Sequence, residues 1–160
     1  IYAAERGGVH DVAKLLDFGL VKETTADGET AISRPQSFSG SPLYMAPEQA
    51  LAYEHTDARG DIYALGAVGY FLLTGRPPFS GRNLLELVNA HAKQPVTPPS
   101  QLGAEIPADL ETVVLRCLEK APERRYSDAR ALQFALLACE CATAWDAERA
   151  AAWWREQANG

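Results

Sequence analysis

The chain has 160 residues, of which 47% are hydrophobic and 22% charged, with a formal net charge of −6. That balance suits one globular domain with one core. At that net charge a nucleic-acid footprint is not expected, because it needs a basic patch to neutralise phosphates. A membrane span needs about 18 apolar residues in a row, and the most apolar stretch, 64–73, is too short. The opening residues do not read as a basic-then-apolar leader. Cys117, Cys139 and Cys141 are an odd number on helical patterns. They fit a reduced, cytoplasmic setting better than a disulfide framework, and Cys139 and Cys141 alone make a poor metal site.

Taken in chain order, strands are predicted over 1–4 and 9–16, joined at Gly7-Gly8 as a hairpin. The stretch from Asp17 to Glu48 has no packed periodicity, and a loop of that length in a small domain is usually functional or disordered. A helix over 61–73 is apolar nearly all round, so it should be buried on most sides. Asp61 stands at its expected start, where a carboxylate accepts backbone N–H groups. Gly75 ends the helix and Pro77-Pro78 forbid its continuation. Gly66 and Gly69 cost helix propensity, which close packing by a neighbour would explain. Helices follow over 83–92 and 108–119, with a proline-rich loop over 94–106 between them. Asp128 caps another helix, and a last one covers 146–157. Trp145 and Trp153 are expected to cover the core from this last helix. His10, His55 and His91 have no ligand spacing and read as surface or packing residues. The fold class is mainly α with one small hairpin.

The bookends of the long loop carry chemistry. It opens Asp17-Phe18-Gly19 and closes Ala46-Pro47-Glu48. D-F-G alone is weak evidence, but D-F-G followed by A-P-E at this spacing is strong. Asp17 offers the carboxylate oxygen that Mg²⁺ prefers. Phe18 would set its direction, and Gly19 lets the chain turn. Thr25, Thr30, Ser37 and Ser39 are candidate phosphosites, since a phosphate can order a loop by meeting arginine. Plain loop solvation is the competing reading for each.

With these motifs the chain resembles the C-terminal lobe of a Hanks-type serine/threonine protein kinase of the bacterial sort. The resemblance covers residues 1 to about 140 as a partial kinase domain, with 141–160 as a C-terminal helical extension. It implies a kinase-like helical bundle with the hairpin before the D-F-G motif. It also implies ATP and Mg²⁺ as cofactors, with Asp17 as the metal and ATP-side ligand, and a protein substrate as partner. Gly40, Ser41, Pro42 and Tyr44 match the substrate-facing loop. The family usually has threonine where Ser41 stands, and the retained hydroxyl favours serine/threonine substrates. Glu48 is implied to pair with Arg125, which follows the turn Lys120-Ala121-Pro122. Ala121 replaces the family's aspartate in that turn. Asp61 is implied to accept hydrogen bonds from the catalytic loop, a structural role.

No Gly-rich phosphate loop, strand lysine paired with a helix glutamate, or H-R-D-x-x-x-x-N motif is read in the 160 residues. In the family the catalytic asparagine directly precedes a segment like Ile1-Tyr2. The chain therefore reads as a fragment that lacks its N-lobe and catalytic loop, with no catalytic base of its own, and as inactive alone. Asp61 should then lack its donors and an apolar face should be uncovered. Such a chain should be marginally stable and prone to associate. The competing readings are a non-catalytic, kinase-derived scaffold or binding module and a helical domain that matches the motifs by chance. Intact Asp17, Glu48, Asp61 and Arg125 favour the kinase.

Overall fold

The computed structural model describes residues 2–6, 9–14, 42–51, 57–103 and 105–158. The chain divides into two units, one over 40–142 and one that joins 1–39 with 143–160. No helix among the described residues is long and apolar enough to cross a membrane.

In the second of these units, β1 (Tyr2–Arg6) and β2 (Val9–Lys14) form the antiparallel hairpin. Its register pairs Ala4 with Val12 but Arg6 with Val9. Two residues of β2, His10 and Asp11, thus oppose Glu5 alone, which makes a β-bulge. Asp11 takes up the extra length at φ 58°, a left-handed conformation that aspartate tolerates better than most residues. The bulge aims the Asp11 side chain at the C-terminal helix α6 (Ala147–Ala158). The indole N–H groups of Trp145 and Trp154 donate to its two carboxylate oxygens at 2.8 and 2.6 Å. Asp146 caps α6 by accepting from the Arg149 N–H at 2.8 Å. Trp145 and Trp153 were expected to cover a core, but they are 50% and 43% exposed. Trp153 instead meets Trp154 edge to face, so the tryptophans of this unit clasp a carboxylate more than they fill an interior.

The other unit is helical. The turn Pro42–Tyr44 leads into the short α1 (Pro47–Leu51), then α2 (Arg59–Thr74), α3 (Leu84–Lys93), α4 (Ala108–Cys117) and α5 (Ala129–Leu137). Helix α2 begins ahead of the expected 61. Asp57 supplies the first bond, its carboxylate accepting from the Arg59 N–H at 2.8 Å. Asp61 therefore lies inside the first turn, exposed, where its charge still meets the positive end of the helix. No hydrogen bond reaches its carboxylate among the described residues. Gly75 stops the helix at φ 72°, its N–H bonding the Phe71 carbonyl at 2.8 Å. Asn83 and Asp128 cap α3 and α5 by accepting from Glu86 and Ala131 N–H groups. The expected loop over 94–106 contains one 3-10 turn, Pro99–Leu102, ended by Gly103 at φ 81°.

Helix α2 is the spine of this unit. Its Tyr63, Ala67 and Tyr70 join Ala46, Val114 and Leu118 in one cluster. Its Ile62 joins Val113, Cys117, Tyr126, Leu132 and Cys139 in another. A third cluster, Phe79, Leu87 and Ala90, takes in Leu43 of the first turn. The crossing of α2 and α4 explains Gly66, where an added Cβ would sit 2.4 Å from the Cys117 Cβ. The same argument fails for Gly69, whose Cβ would make an ordinary 3.6 Å contact with Val114. Burial of α2 on most sides is not what the structure shows. Leu65, Phe71 and Leu72 are 42%, 40% and 75% exposed, so the buried residues hold one side and the apolar excess lies on the other.

Candidate functional site

The site that the structure describes is the far end of the long loop, where Pro42–Tyr44 and α1 are fastened to the helical unit. Proline at the start of α1 costs no hydrogen bond, because the first helical N–H has no intrahelical partner. The Gln49 side chain reaches back to accept from the Ala46 N–H at 2.9 Å. Ala46 is fully buried, which places Glu48 at the edge of the core.

Arg125 meets it there. The turn Pro122–Arg124 delivers Arg125 into the interior, where its side chain has no exposure and that of Glu48 only 18%. Its Nη1 and Nη2 donate to the two Glu48 oxygens at 2.6 and 2.9 Å. The remaining donors go to backbone carbonyls: Nε to Glu119 at 2.8 Å, Nη1 to Arg59 at 2.9 Å and Nη2 to Lys120 at 3.0 Å. All five guanidinium N–H groups are thereby used. A buried charge is tolerable only when paired and fully hydrogen-bonded, and this one is both. One residue thus ties α1 to the start of α2 and to the turn after α4.

The guanidinium also lies 4.9 Å over the ring of Tyr63. Tyr63 is fully buried, and that burial holds its phenol protonated well above the ordinary value of 10. Its hydroxyl is 2.8 Å from Nδ1 of His91. His91 is 1% exposed and edge-on to Phe79, with ring centroids 5.0 Å apart. Burial first, and the Lys120 cation second, lower its pKa to about 4, against a smaller opposing pull from the Leu43 backbone. Lys120 donates to the His91 carbonyl at 2.7 Å and sits 4.1 Å over the Phe79 ring. Its own pKa falls to about 8, by burial and then by repulsion from Arg125.

Among the residues expected to act here, Glu48 and Arg125 are brought together. Pro42 and Tyr44 lie in the turn beside them, half-buried. Asp61 is set apart on the exposed side of the first turn of α2. Asp17, Phe18, Gly19, Thr25, Thr30, Ser37, Ser39, Gly40 and Ser41 lie outside the described residues. No group of three or more metal-binding side chains occurs among the described residues. From the sequence alone His91 reads as a surface or packing residue, and Tyr63 and Lys120 carry no role. Their signal is a polar or charged side chain at an inward position of a helix or turn. It is visible only once the helix faces are assigned.

The profile of the protein kinase domain matches residues 5–137. The chain is 42% identical over 136 residues to the serine/threonine-protein kinase Pkn1 of Myxococcus xanthus, covering 85% of this chain and 19% of that protein. It is 35% identical over 128 residues to the serine/threonine-protein kinase PknB of Mycolicibacterium smegmatis, covering 80% of this chain and 20% of that protein. With PknB of Mycobacterium tuberculosis the identity is 38% over 119 residues, covering 74% and 19%. The chain thus spans about a fifth of the length of these curated relatives. An arginine-anchored A-P-E segment packed on a helical lobe, within a match that covers most of the chain, places it in the protein kinase family, beside bacterial serine/threonine kinases.

Proposed function

We propose that the chain supplies the substrate-side half of a serine/threonine kinase that transfers the γ-phosphate of ATP to protein hydroxyls in the cytoplasm. The observation that carries this reading is the saturated Glu48–Arg125 pair, which fixes the end of the segment that Asp17 opens. Phosphoryl transfer depends on positioning and charge stabilisation more than on covalent chemistry. A rigid anchor at Glu48 holds Pro42 and Tyr44 in one register for a substrate chain, and the resemblance gives the hydroxyl-bearing Ser41 to the same substrate-facing motif. Asp17 has the donor chemistry for Mg²⁺, a hard cation that takes carboxylate oxygen. Bound there, the ion would neutralise charge on the phosphates. Thr25, Thr30, Ser37 and Ser39 remain the candidate regulatory phosphosites. Residues 1–140 are read as the kinase part and 141–160 as an extension.

The general base of this chemistry belongs to an H-R-D-x-x-x-x-N motif, which the 160 residues do not contain. Alone, the chain is expected to be inert. Incubation with labelled ATP, Mg²⁺ and a generic protein substrate should give no transfer, and label above background would overturn that claim. A longer gene product with H-R-D-x-x-x-x-N ahead of Ile1 should label serine and threonine. Label on tyrosine, or none, would overturn the kinase reading. In the latter case the second reading gains, a kinase-derived binding module. It draws on the apolar groove formed by Leu65, Leu132, Leu136 and Leu137.

A further inference from the structure

The kinase profile ends at residue 137, yet one residue inside it is gripped from outside. Asp11 belongs to the matched stretch, and its two indole partners, Trp145 and Trp154, both lie beyond it. The hairpin that precedes D-F-G is thus held by a segment that the family's own boundaries leave out.

The bulge at Asp11 decides how β2 is paired. From the pair Arg6–Val9 a regular antiparallel ladder would continue with Ala4 opposite Asp11. With the bulge, Ala4 faces Val12, Ala3 faces Ala13 and Tyr2 faces Lys14. The end of β2 is displaced by one residue against β1, about 3.3 Å along the strand. The side chains after Asp11 also exchange faces relative to the regular ladder. Lys14 is the last residue of β2, and Asp17 follows three residues later in the sequence. A bulge of this kind re-aims whatever the strand carries next.

A left-handed backbone in a residue with a Cβ persists only where its surroundings hold it. At Asp11, φ is 58°, and the hold is a pair of donors. Each carboxylate oxygen accepts from one indole, at 2.8 Å from Trp145 and 2.6 Å from Trp154, so the group cannot turn without breaking a charge-assisted bond. The donors are themselves fixed. Trp153 stands at 90° to Trp154 with ring centroids 4.9 Å apart. Asp146 caps α6, Arg149 donates to the Ala144 carbonyl, and Ala150 is buried.

We infer that Trp145 and Trp154 are positioning residues for the D-F-G strand: by holding Asp11 in the left-handed bulge, the segment after the kinase profile sets the register in which β2 runs towards Asp17. The metal role of Asp17 rests on the kinase reading above. The test reads strand register and involves no phosphate transfer, so the two fail separately.

The test is NMR on the isotopically labelled 160-residue chain at neutral pH. Cross-strand NOEs should pair Ala4 with Val12 in the wild type. Pairing of Ala4 with Asp11 there overturns the inference. Trp145→Phe combined with Trp154→Phe keeps two rings and removes both donors. It should lose the Ala4–Val12 NOE, with Ala4 moving to Asp11 or the hairpin opening, while the signals of α2 and α4 stay in place. Asp11→Gly, added to that double variant, should restore the Ala4–Val12 NOE, because glycine adopts positive φ without help. An Ala4–Val12 NOE that survives the double variant would overturn the inference, since the donors would not be needed. So would a loss that Asp11→Gly fails to rescue, or one that spreads equally through α2 and α4, since the rings would then act by packing alone. Should the double variant not fold, Trp154→Phe alone takes its place under the same criteria, and exchange of either wild-type indole proton at the bulk rate overturns the inference by itself.

Discussion

Arg125 holds Glu48 by both carboxylate oxygens, at 2.6 and 2.9 Å, across a sequence separation of 77 residues. The same guanidinium closes three backbone carbonyls. Replacement of Arg125 by methionine would strand a largely buried carboxylate and leave those carbonyls without donors. The expected cost is about 3–5 kcal/mol, the range for breaking a buried pair from one side. Glu48→Gln keeps the shape and one acceptor oxygen and should cost less. Urea denaturation measures both, read as midpoint shifts at constant slope. If Glu48→Gln is as damaging as Arg125→Met, the charge and not the carbonyl network carries the anchor.

Gly66 and Gly69 of α2 give predictions of opposite sign. Gly66→Ala would press a methyl group to 2.4 Å from the Cys117 Cβ. Overpacking of that kind costs about 1–3 kcal/mol. Truncation of Cys117 to alanine should not relieve it, because the clash is with Cβ itself. Gly69→Ala meets only an ordinary contact at 3.6 Å and should gain up to about 1 kcal/mol of helix propensity. Thermal melts of the three variants check the order.

The cysteines should separate by reactivity. Cys117 is buried, and that burial pushes its thiol up to about 12. Cys139 is also buried, with its pKa raised chiefly by desolvation. Cys141 is half-buried. Since the thiolate is the reactive form, a thiol-specific reagent at mildly alkaline pH should label Cys141 first, and the other two only as the chain unfolds. Peptide mapping of the labelled sites would show the order, and early label on Cys117 would contradict the packing against Gly66.

Asp11 should act as an acid-sensitive clasp between β2 and α6. The indole bonds from Trp154 and then Trp145 hold its carboxyl below the ordinary 3.8. A depressed carboxylate contributes its stabilisation above the unfolded value and loses it as pH falls through the folded one. The clasp should therefore be complete above 3.8 and open as the pH falls through the folded value, which lies lower still. Tryptophan emission should shift on acidification in that window. Asp11→Ala should show the shifted spectrum already at neutral pH, with no further acid step.

What the sequence revealed and what it hid follow from the range of the interactions. D-F-G, A-P-E and the arginine after a Lys-x-Pro turn are local strings, so the resemblance they carry could imply the Glu48–Arg125 pair across 77 residues before any geometry. Helix caps such as Asn83 and Asp128 are equally local. The start of α2 was misplaced because Asp57, not Asp61, makes the first bond. Two aspartates four residues apart look alike in a string. The bulge at Asp11 left no turn signature, since it depends on strand register. Trp145 and Trp154 then found a carboxylate far away in sequence, which no periodicity encodes. His91 was passed over for the same reason: its partners are Tyr63 of α2, Phe79 and Lys120, and an isolated histidine gives no spacing to read.

His91 and Lys120 should impose a pH dependence that single substitutions can isolate. The folded pKa of His91 lies near 4, against an ordinary 6.5. Between those values the unfolded chain holds a proton that the folded chain does not, so stability rises with pH across that window and is flat above it. The shift corresponds to on the order of 3 kcal/mol. Carboxylates titrate in the lower part of the same range, but their contribution cancels when the wild type is compared with His91→Gln. The difference in urea midpoints should favour the variant progressively as pH falls from 6.5 towards 4, because glutamine carries no proton to shed. Lys120 adds a second rise, between its folded value of about 8 and the ordinary 10.5, which Lys120→Met should remove. A His91→Gln profile parallel to wild type over the acid window would mean that the buried ring is not neutral.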